Sequence, residues 1–160
     1  MPNLSELLKY LLQHDLDFIV IGGYAGIAHG SSLVTKDLDV CALLSPESIT
    51  KFREALAPLN PKHRMTPKKL SFLTEPRSIQ AINNLYLETD LGILDILTEV
   101  KGIGSFEELK KRATKIPLFG LTCNVISIDD LITAKKALGR EKDKIAVREL
   151  EIIKTKKSTT

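Results

Sequence analysis

Residues 18–44 read FIVIGGYAGIAHGSSLVTKDLDVCALL, and this stretch decides the fold. Phe18 to Ile21 is aromatic and β-branched and ends at Gly22-Gly23, which predicts a buried strand and then a turn. Tyr24 to His29 is short and rich in small residues, and suits a tight helix. Asp37 to Leu44 predicts a second strand. Side chains alternate across a strand, so Asp37 and Asp39 point to one side and Leu38 and Val40 to the other. Their Cα atoms lie roughly 6.6 Å apart. Two carboxylates at that spacing converge on one hard cation. Left alone they repel each other, and one tends to keep its proton.

Working outward, Leu4, Leu7, Leu8, Leu11 and Leu12 repeat at helical spacing and predict an amphipathic helix before the first strand. Pro46 opens a helix through about Leu56, since proline is tolerated in a first turn. Residues 58–76 hold four prolines and the cations Lys62, Arg64, Lys68 and Lys69 beside His63. They read as loop, with a short strand near Leu70 to Leu73. Ile79 to Glu88 and Gly92 to Thr98 read as paired strands, Phe106 to Ala113 as a helix and Leu121 to Ile126 as a strand. Ser127 to Asp130 has the spacing of a capping box. The helix it starts runs to about Leu138, with Gly139 past its end, and a last helix covers about Glu141 to Lys154. The expected architecture is α/β (α+β), a mixed sheet flanked by helices with C-terminal helices. It forms a single domain over residues 1–154, followed by a polar tail at 155–160.

A second clue to chemistry is Asp95, alone in Ile93-Leu94-Asp95-Ile96-Leu97. An unpaired buried charge is very costly, so this carboxylate faces a less buried side or has a partner. If its strand lies beside residues 37–44, three carboxylates meet, a donor set suited to a two-metal clamp on an in-line displacement. A third clue is Gly22-Gly23 at a strand-to-helix step, where bare backbone can approach a phosphate.

Composition bounds the rest. The chain has 160 residues, 43% hydrophobic and 27% charged, with a net charge of +3 that permits a polyanionic partner without demanding one. Cys41 and Cys123 lie in apolar runs and read as reduced core residues of a cytoplasmic protein. No apolar run is long enough for a membrane span, and the opening MPNLSELLKY has no leader-like core.

Ile21-Gly22-Gly23, Asp37-Leu38-Asp39-Val40 and Leu94-Asp95-Ile96, in that order, resemble the signature of the nucleotidyltransferase superfamily that includes DNA polymerase beta and kanamycin nucleotidyltransferase. Within it the chain looks most like small stand-alone bacterial and archaeal proteins, some of them halves of toxin–antitoxin pairs. The resemblance implies transfer of a nucleotide from an NTP, with ATP expected, to an acceptor hydroxyl on RNA, protein or a small molecule. It implies Mg²⁺ on Asp37 and Asp39, with Asp95 a further metal ligand or a base. It also implies a triphosphate cradle at Gly22 and Gly23. Leu33 stands where relatives often carry arginine, and Lys36 is the expected substitute. Among Lys135, Lys136, Arg140 and Lys142, the expected phosphate contacts are Lys136 and Arg140. The basic loop from Lys62 to Lys69 is the candidate RNA surface, with only Phe72 nearby for stacking. At this length the acceptor site is expected to be completed by a homodimer or a hetero-complex.

Two rival readings carry less. A dinucleotide-binding domain also places glycines after its first strand and an acid further on, but Gly22-Gly23-Tyr24-Ala25-Gly26 is not G-x-G-x-x-G, and Asp95 would have no role. A nucleotide-sensing or partner-binding subunit with little turnover would not need all three acids.

Overall fold

The computed structural model describes residues 2–80 and 82–158. In chain order the elements are α1 (Leu4–Leu12), β1 (Phe18–Ile21), α2 (Gly22–Ala28), β2 (Asp37–Ala42), α3 (Pro46–Leu56), a 3₁₀ turn (Ala57–Leu59), β3 (Lys62–His63), β4 (Asn84–Thr89), β5 (Gly92–Leu97), β6 (Glu99–Val100) and β7 (Gly104–Ser105). There follow α4 (Phe106–Arg112), β8 (Thr114–Leu118), β9 (Leu121–Val125), α5 (Ile128–Leu138) and α6 (Glu141–Ser158).

Seven strands form one mixed sheet in the order β3-β4-β5-β2-β1-β9-β8, and β6 pairs with β7 apart from it. β1 and β2 are antiparallel, whereas β2 runs parallel to β5 and β1 parallel to β9. All four residues of β1 are buried, as expected of a strand with neighbours on both sides. The apolar side chains that alternate with the acids (Leu38, Val40, Leu94 and Ile96) are fully buried in the main core. Leu7, Leu8 and Leu11 of α1 and Ile49 and Phe52 of α3 belong to the same core. Fully burying one such side chain contributes roughly 1.5–3 kcal/mol.

The helix ends follow the chemistry of their first residues. Asn3 caps α1 by accepting from the Glu6 N–H at 3.1 Å. Ser45 and Ser48 form a reciprocal capping box at 3.1 and 3.0 Å, with Pro46 in the first turn of α3. Ser127 caps α5 by accepting from the Asp130 N–H at 3.1 Å, but the Asp130 carboxylate turns to Arg112 at 2.8 Å instead of completing a box. Gly139 ends α5 at φ +65° and donates to the Lys135 carbonyl, and α6 starts two residues later.

The structure departs from the sequence reading at several places. The strand expected from Ile79 begins only at Asn84. In place of a strand at Leu70 to Leu73 there is the two-residue β3, bridged to Ser71. β8 was not expected at all. It ends in Ile116-Pro117-Leu118, and proline weakens a strand reading, yet β8 is an edge strand, where proline is tolerated. It turns into β9 through Phe119 and Gly120, both at positive φ, as a two-residue hairpin requires. Finally, α6 continues past Lys154 to Ser158, so most of the stretch read as a polar tail is helical. Thr159 and Thr160 lie outside the described residues.

Candidate active site

The register of the sheet assembles the acids. Asp39 of β2 lies opposite Ile21 of β1 on one side and Asp95 of β5 on the other, and Asp95 lies opposite Tyr86 of β4. Residues abreast in neighbouring strands share a face of the sheet. Asp37, two residues from Asp39, shares it too. Carboxylate oxygens of Asp37, Asp39 and Asp95 all lie within 4.8 Å of one another. Three hard oxygen donors at this separation fit a hard divalent cation such as Mg²⁺. Burial, followed by the charges of Asp95 and then Asp37, raises the Asp39 carboxyl to about 6, against the lowering pull of Lys135 and Arg64.

Gly22 and Gly23 sit where β1 becomes α2. Gly22 has φ +67°, and a Cβ there would lie 2.6 Å from Oδ2 of Asp39. A Cβ on Gly23 would lie 2.7 Å from Oγ1 of Thr35. Both positions therefore need glycine, the first for conformation and close approach and the second for approach alone. The bare backbone packs directly against the acids and against the loop that leads into β2.

A cavity of about 260 Å³ opens at this point. Gly22, Gly23, Thr35, Asp37, Asp39 and Asp95 line it, together with Lys135, Arg140, Lys142 and Asp143 from the α5–α6 junction. Asp143 is 1% exposed and organises the basic side. It accepts from Arg140 Nε at 2.6 Å and Nη2 at 3.1 Å, and lies 3.7 Å from the Lys135 ammonium. The hydrogen bonds from Arg140 hold the Asp143 carboxyl below the usual range and hold the Arg140 guanidinium charged. Burial lowers Lys135, against the raising pull of Asp143. A second, largely apolar pocket of about 180 Å³ shares Gly22, Asp39 and Lys135 with the cavity, and Ile21, Leu97, Ile126, Leu131 and Leu138 help to line it.

Residues 31–35 form one rim of the cavity. The Glu149 carboxylate of α6 pins this loop, accepting from the Ser31 hydroxyl, from the Ser32 hydroxyl at 2.6 Å and from the Ser32 N–H at 3.2 Å. Val34, at the crest of the loop, is 92% exposed.

Of the residues singled out from sequence, Asp37, Asp39, Asp95, Gly22, Gly23 and Arg140 come together around the cavity, with Lys142. Lys36 is exposed and does not line it. Lys136 does not line it either; its ammonium lies 3.4 Å from Glu151, and its neighbour Lys135 takes the place at the cavity. His29 donates from Nε2 to the Ile126 carbonyl at 2.7 Å and is a buried packing residue. Cys41 and Cys123 are buried free thiols, raised to about 11 by burial.

Sequence reasoning missed Asp143, Thr35, Ser31 and, above all, Arg64. Asp143 follows Arg140 by three residues across a helix start, which is a readable signal for an ion pair. Two cations of the basic stretch from Lys62 to Lys69 have acidic partners, while Lys68 is exposed. Arg64 turns inward onto Asp95, and Lys69 lies 3.3 Å from Glu88.

No sequence-family profile matches the chain, and no curated protein does. Solved structures do. The lincosamide antibiotic adenylyltransferase LnuA, solved with lincomycin bound, superposes with a TM-score of 0.63 at 14% identity over 94% of this chain and 95% of that one. A protein from Thermotoga maritima, provisionally described as a nucleotidyltransferase, gives a TM-score of 0.55 at 16% identity over 91% of this chain and 88% of its own. An antigenic nucleotidyltransferase-like protein from Paracoccidioides brasiliensis gives 0.52 at 14% identity over 94% and 71%. The chain has the fold of these proteins, as its three motifs led one to expect.

Proposed function

We propose that this chain moves a nucleotide from an NTP onto an acceptor hydroxyl and releases pyrophosphate. The observation that carries the reading is the polarity of one cavity, which holds three clustered carboxylates and three cations, Lys135, Arg140 and Lys142. A triphosphate bound with a hard cation needs both kinds of group within a few ångströms. ATP is the donor we assign, because one of the similar structures is an adenylyltransferase.

The assignments follow from position. Asp37 and Asp39 hold Mg²⁺. When bound, the ion supplies charge neutralisation for the triphosphate and for the charge that develops as it breaks. Gly22 and Gly23 present backbone that no side chain shields. Lys135 and Arg140, both fixed by Asp143, draw the β- and γ-phosphates to the basic side and hold the leaving pyrophosphate. The acceptor oxygen attacks the α-phosphorus, the bond from that phosphorus to the β-phosphate oxygen breaks, and the hydroxyl proton passes to Asp95. Holding the two reactants in line is where most of the rate comes from. The apolar pocket beside Asp39 receives the body of the acceptor. The inward pairing of Arg64, which takes one cation out of the basic loop, favours a hydroxyl on a partly apolar molecule or side chain over an RNA end.

The test is pyrophosphate release. Each of the four NTPs is incubated with the protein, Mg²⁺ and a pool of acceptors taken from cell lysate, beside Asp37→Ala protein. Release well above that variant is expected with one NTP. Release equal to that variant, in protein that still binds the nucleotide, would point instead to a nucleotide-binding subunit without turnover.

A further inference from the structure

Arg64 lies in the loop between β3 and β4, and no motif marks it. Its Nη2 donates to Oδ2 of Asp95 at 2.6 Å and its Nε to Oδ1 at 3.1 Å, a two-bond fork on one carboxylate. Several contacts hold it there. The Arg64 N–H donates to the Tyr86 carbonyl at 3.0 Å, and its guanidinium lies over the Tyr86 ring at 5.5 Å. Nη1 reaches Sδ of Met65 at 3.2 Å. The loop itself is anchored to α3, where Arg53 donates to the carbonyls of Phe72 at 2.7 Å and Pro76 at 2.9 Å, and Phe72 is fully buried. The Asp95 side chain is 11% exposed and that of Arg64 26%. This is a built ion pair in a partly desolvated site.

Its consequence concerns the number of cations the acids can hold. A second ion beside the first would draw a ligand oxygen from the third carboxylate. Here both oxygens of that carboxylate already accept from a permanent monocation, and a divalent ion brought onto Asp95 would meet the guanidinium within hydrogen-bonding reach. Each oxygen still keeps a lone pair for a proton. Asp37 and Asp39 make no hydrogen bond or ion pair to any cation through their side chains among the described residues, although the field of Arg64 reaches both and those of Lys135 and Arg140 reach Asp39.

We propose that Arg64 stands in for the second metal ion: the site holds one divalent cation, on Asp37 and Asp39, and Arg64 keeps Asp95 as an oriented proton acceptor. Arg64 is thus a positioning residue for the reaction, and the inference rests on the nucleotidyl-transfer reading given above.

Mn²⁺ stoichiometry tests it, read by electron paramagnetic resonance during equilibrium dialysis with saturating α,β-methylene-ATP as the nucleotide. The wild type is expected to bind one Mn²⁺ per chain and Arg64→Gln two. Arg64→Lys, which keeps the charge, is expected to bind one. Asp95→Asn is also expected to keep its one ion, and this arm decides the matter should Arg64→Gln fail to fold by circular dichroism. Two ions in the wild type, one ion in folded Arg64→Gln, or a lost ion in Asp95→Asn would each overturn the inference and leave the proposed function standing. No Mn²⁺ bound by the wild type or by any variant would overturn both.

Discussion

Asp39 sits between Asp37 and Asp95 on a mostly buried wall, and burial together with those two charges makes it keep its proton to about pH 6. An unfolded chain releases that proton near pH 4. Between those values the folded state holds more protons than the unfolded one, so the contribution of Asp39 to stability falls as pH rises and is fully lost above about 6. A shift of this size corresponds to at most about 3 kcal/mol. Asp39→Asn protein, without metal, is therefore expected to melt above the wild type at about pH 8, with the gap closing toward pH 4. Added Mg²⁺ should raise the wild type and leave the variant unmoved, since the ion needs the ionised carboxylate. Scanning calorimetry at the two pH values checks both. Equal melting temperatures at the higher pH would show that Asp39 is not under electrostatic load.

At the scale of elements, the α5–α6 junction decides which cations face the cavity. Successive helical residues are turned by about 100°, so Lys135 and Lys136 cannot serve the same cavity. Lys135 lies over buried Asp143 and lines the cavity, while Lys136 pairs with Glu151. Lys135→Met is expected to weaken nucleotide binding by roughly ten- to a hundred-fold, the loss of a charged hydrogen bond of about 1.5–3 kcal/mol. Lys136→Met should bind within about two-fold of the wild type, as expected for an exposed pair. Titration of a fluorescent ATP analogue distinguishes them, and equal losses would contradict the assignment. The loop at residues 31–35 is an element of the same kind, tied to α6 by the hydrogen bonds that the Glu149 carboxylate accepts. Glu149→Ala is expected to raise the KM for the NTP several-fold while kcat and the melting temperature change little, because the loop frames the cavity without entering the core. A large fall in melting temperature would mean that this clamp holds the fold instead.

The same elements separate what the sequence could and could not tell. β1, β2 and β5 were legible because each joins an apolar run to a turn or to an isolated acid, and burial on one face leaves no freedom in register. The acid triad followed from that pattern. Arg64 was not legible, because its partner is 31 residues away and the pairing depends on a two-residue strand and an irregular loop. Lys135 and Lys136 were a choice between adjacent cations, settled by where Asp143 lies. β8 was hidden by Pro117, whose tolerance depends on an edge position that only the sheet order reveals.

At the scale of the whole molecule, topology does what local sequence cannot. Asp37 and Asp39 are two residues apart in the chain, but Asp95 joins them only because β2 and β5 run parallel and in register with Asp39 opposite Asp95. The chain then returns through β9 to lay α5 and α6 beside the acids, so that a basic junction closes over an acidic strand end. In the proposed function, a cavity with this charge division binds a triphosphate together with its counter-ion and breaks it between its first and second phosphates. The direct measurement is therefore a two-label experiment with ATP, carrying ³²P at the α position in one sample and at the γ position in the other, with Mg²⁺ and an acceptor pool. The account predicts that the α label moves to an acceptor while the γ label leaves as pyrophosphate, and that Asp37→Ala abolishes both. Transfer of the γ label to the acceptor, or no transfer of either label by protein that binds Mg²⁺ and ATP, would contradict it.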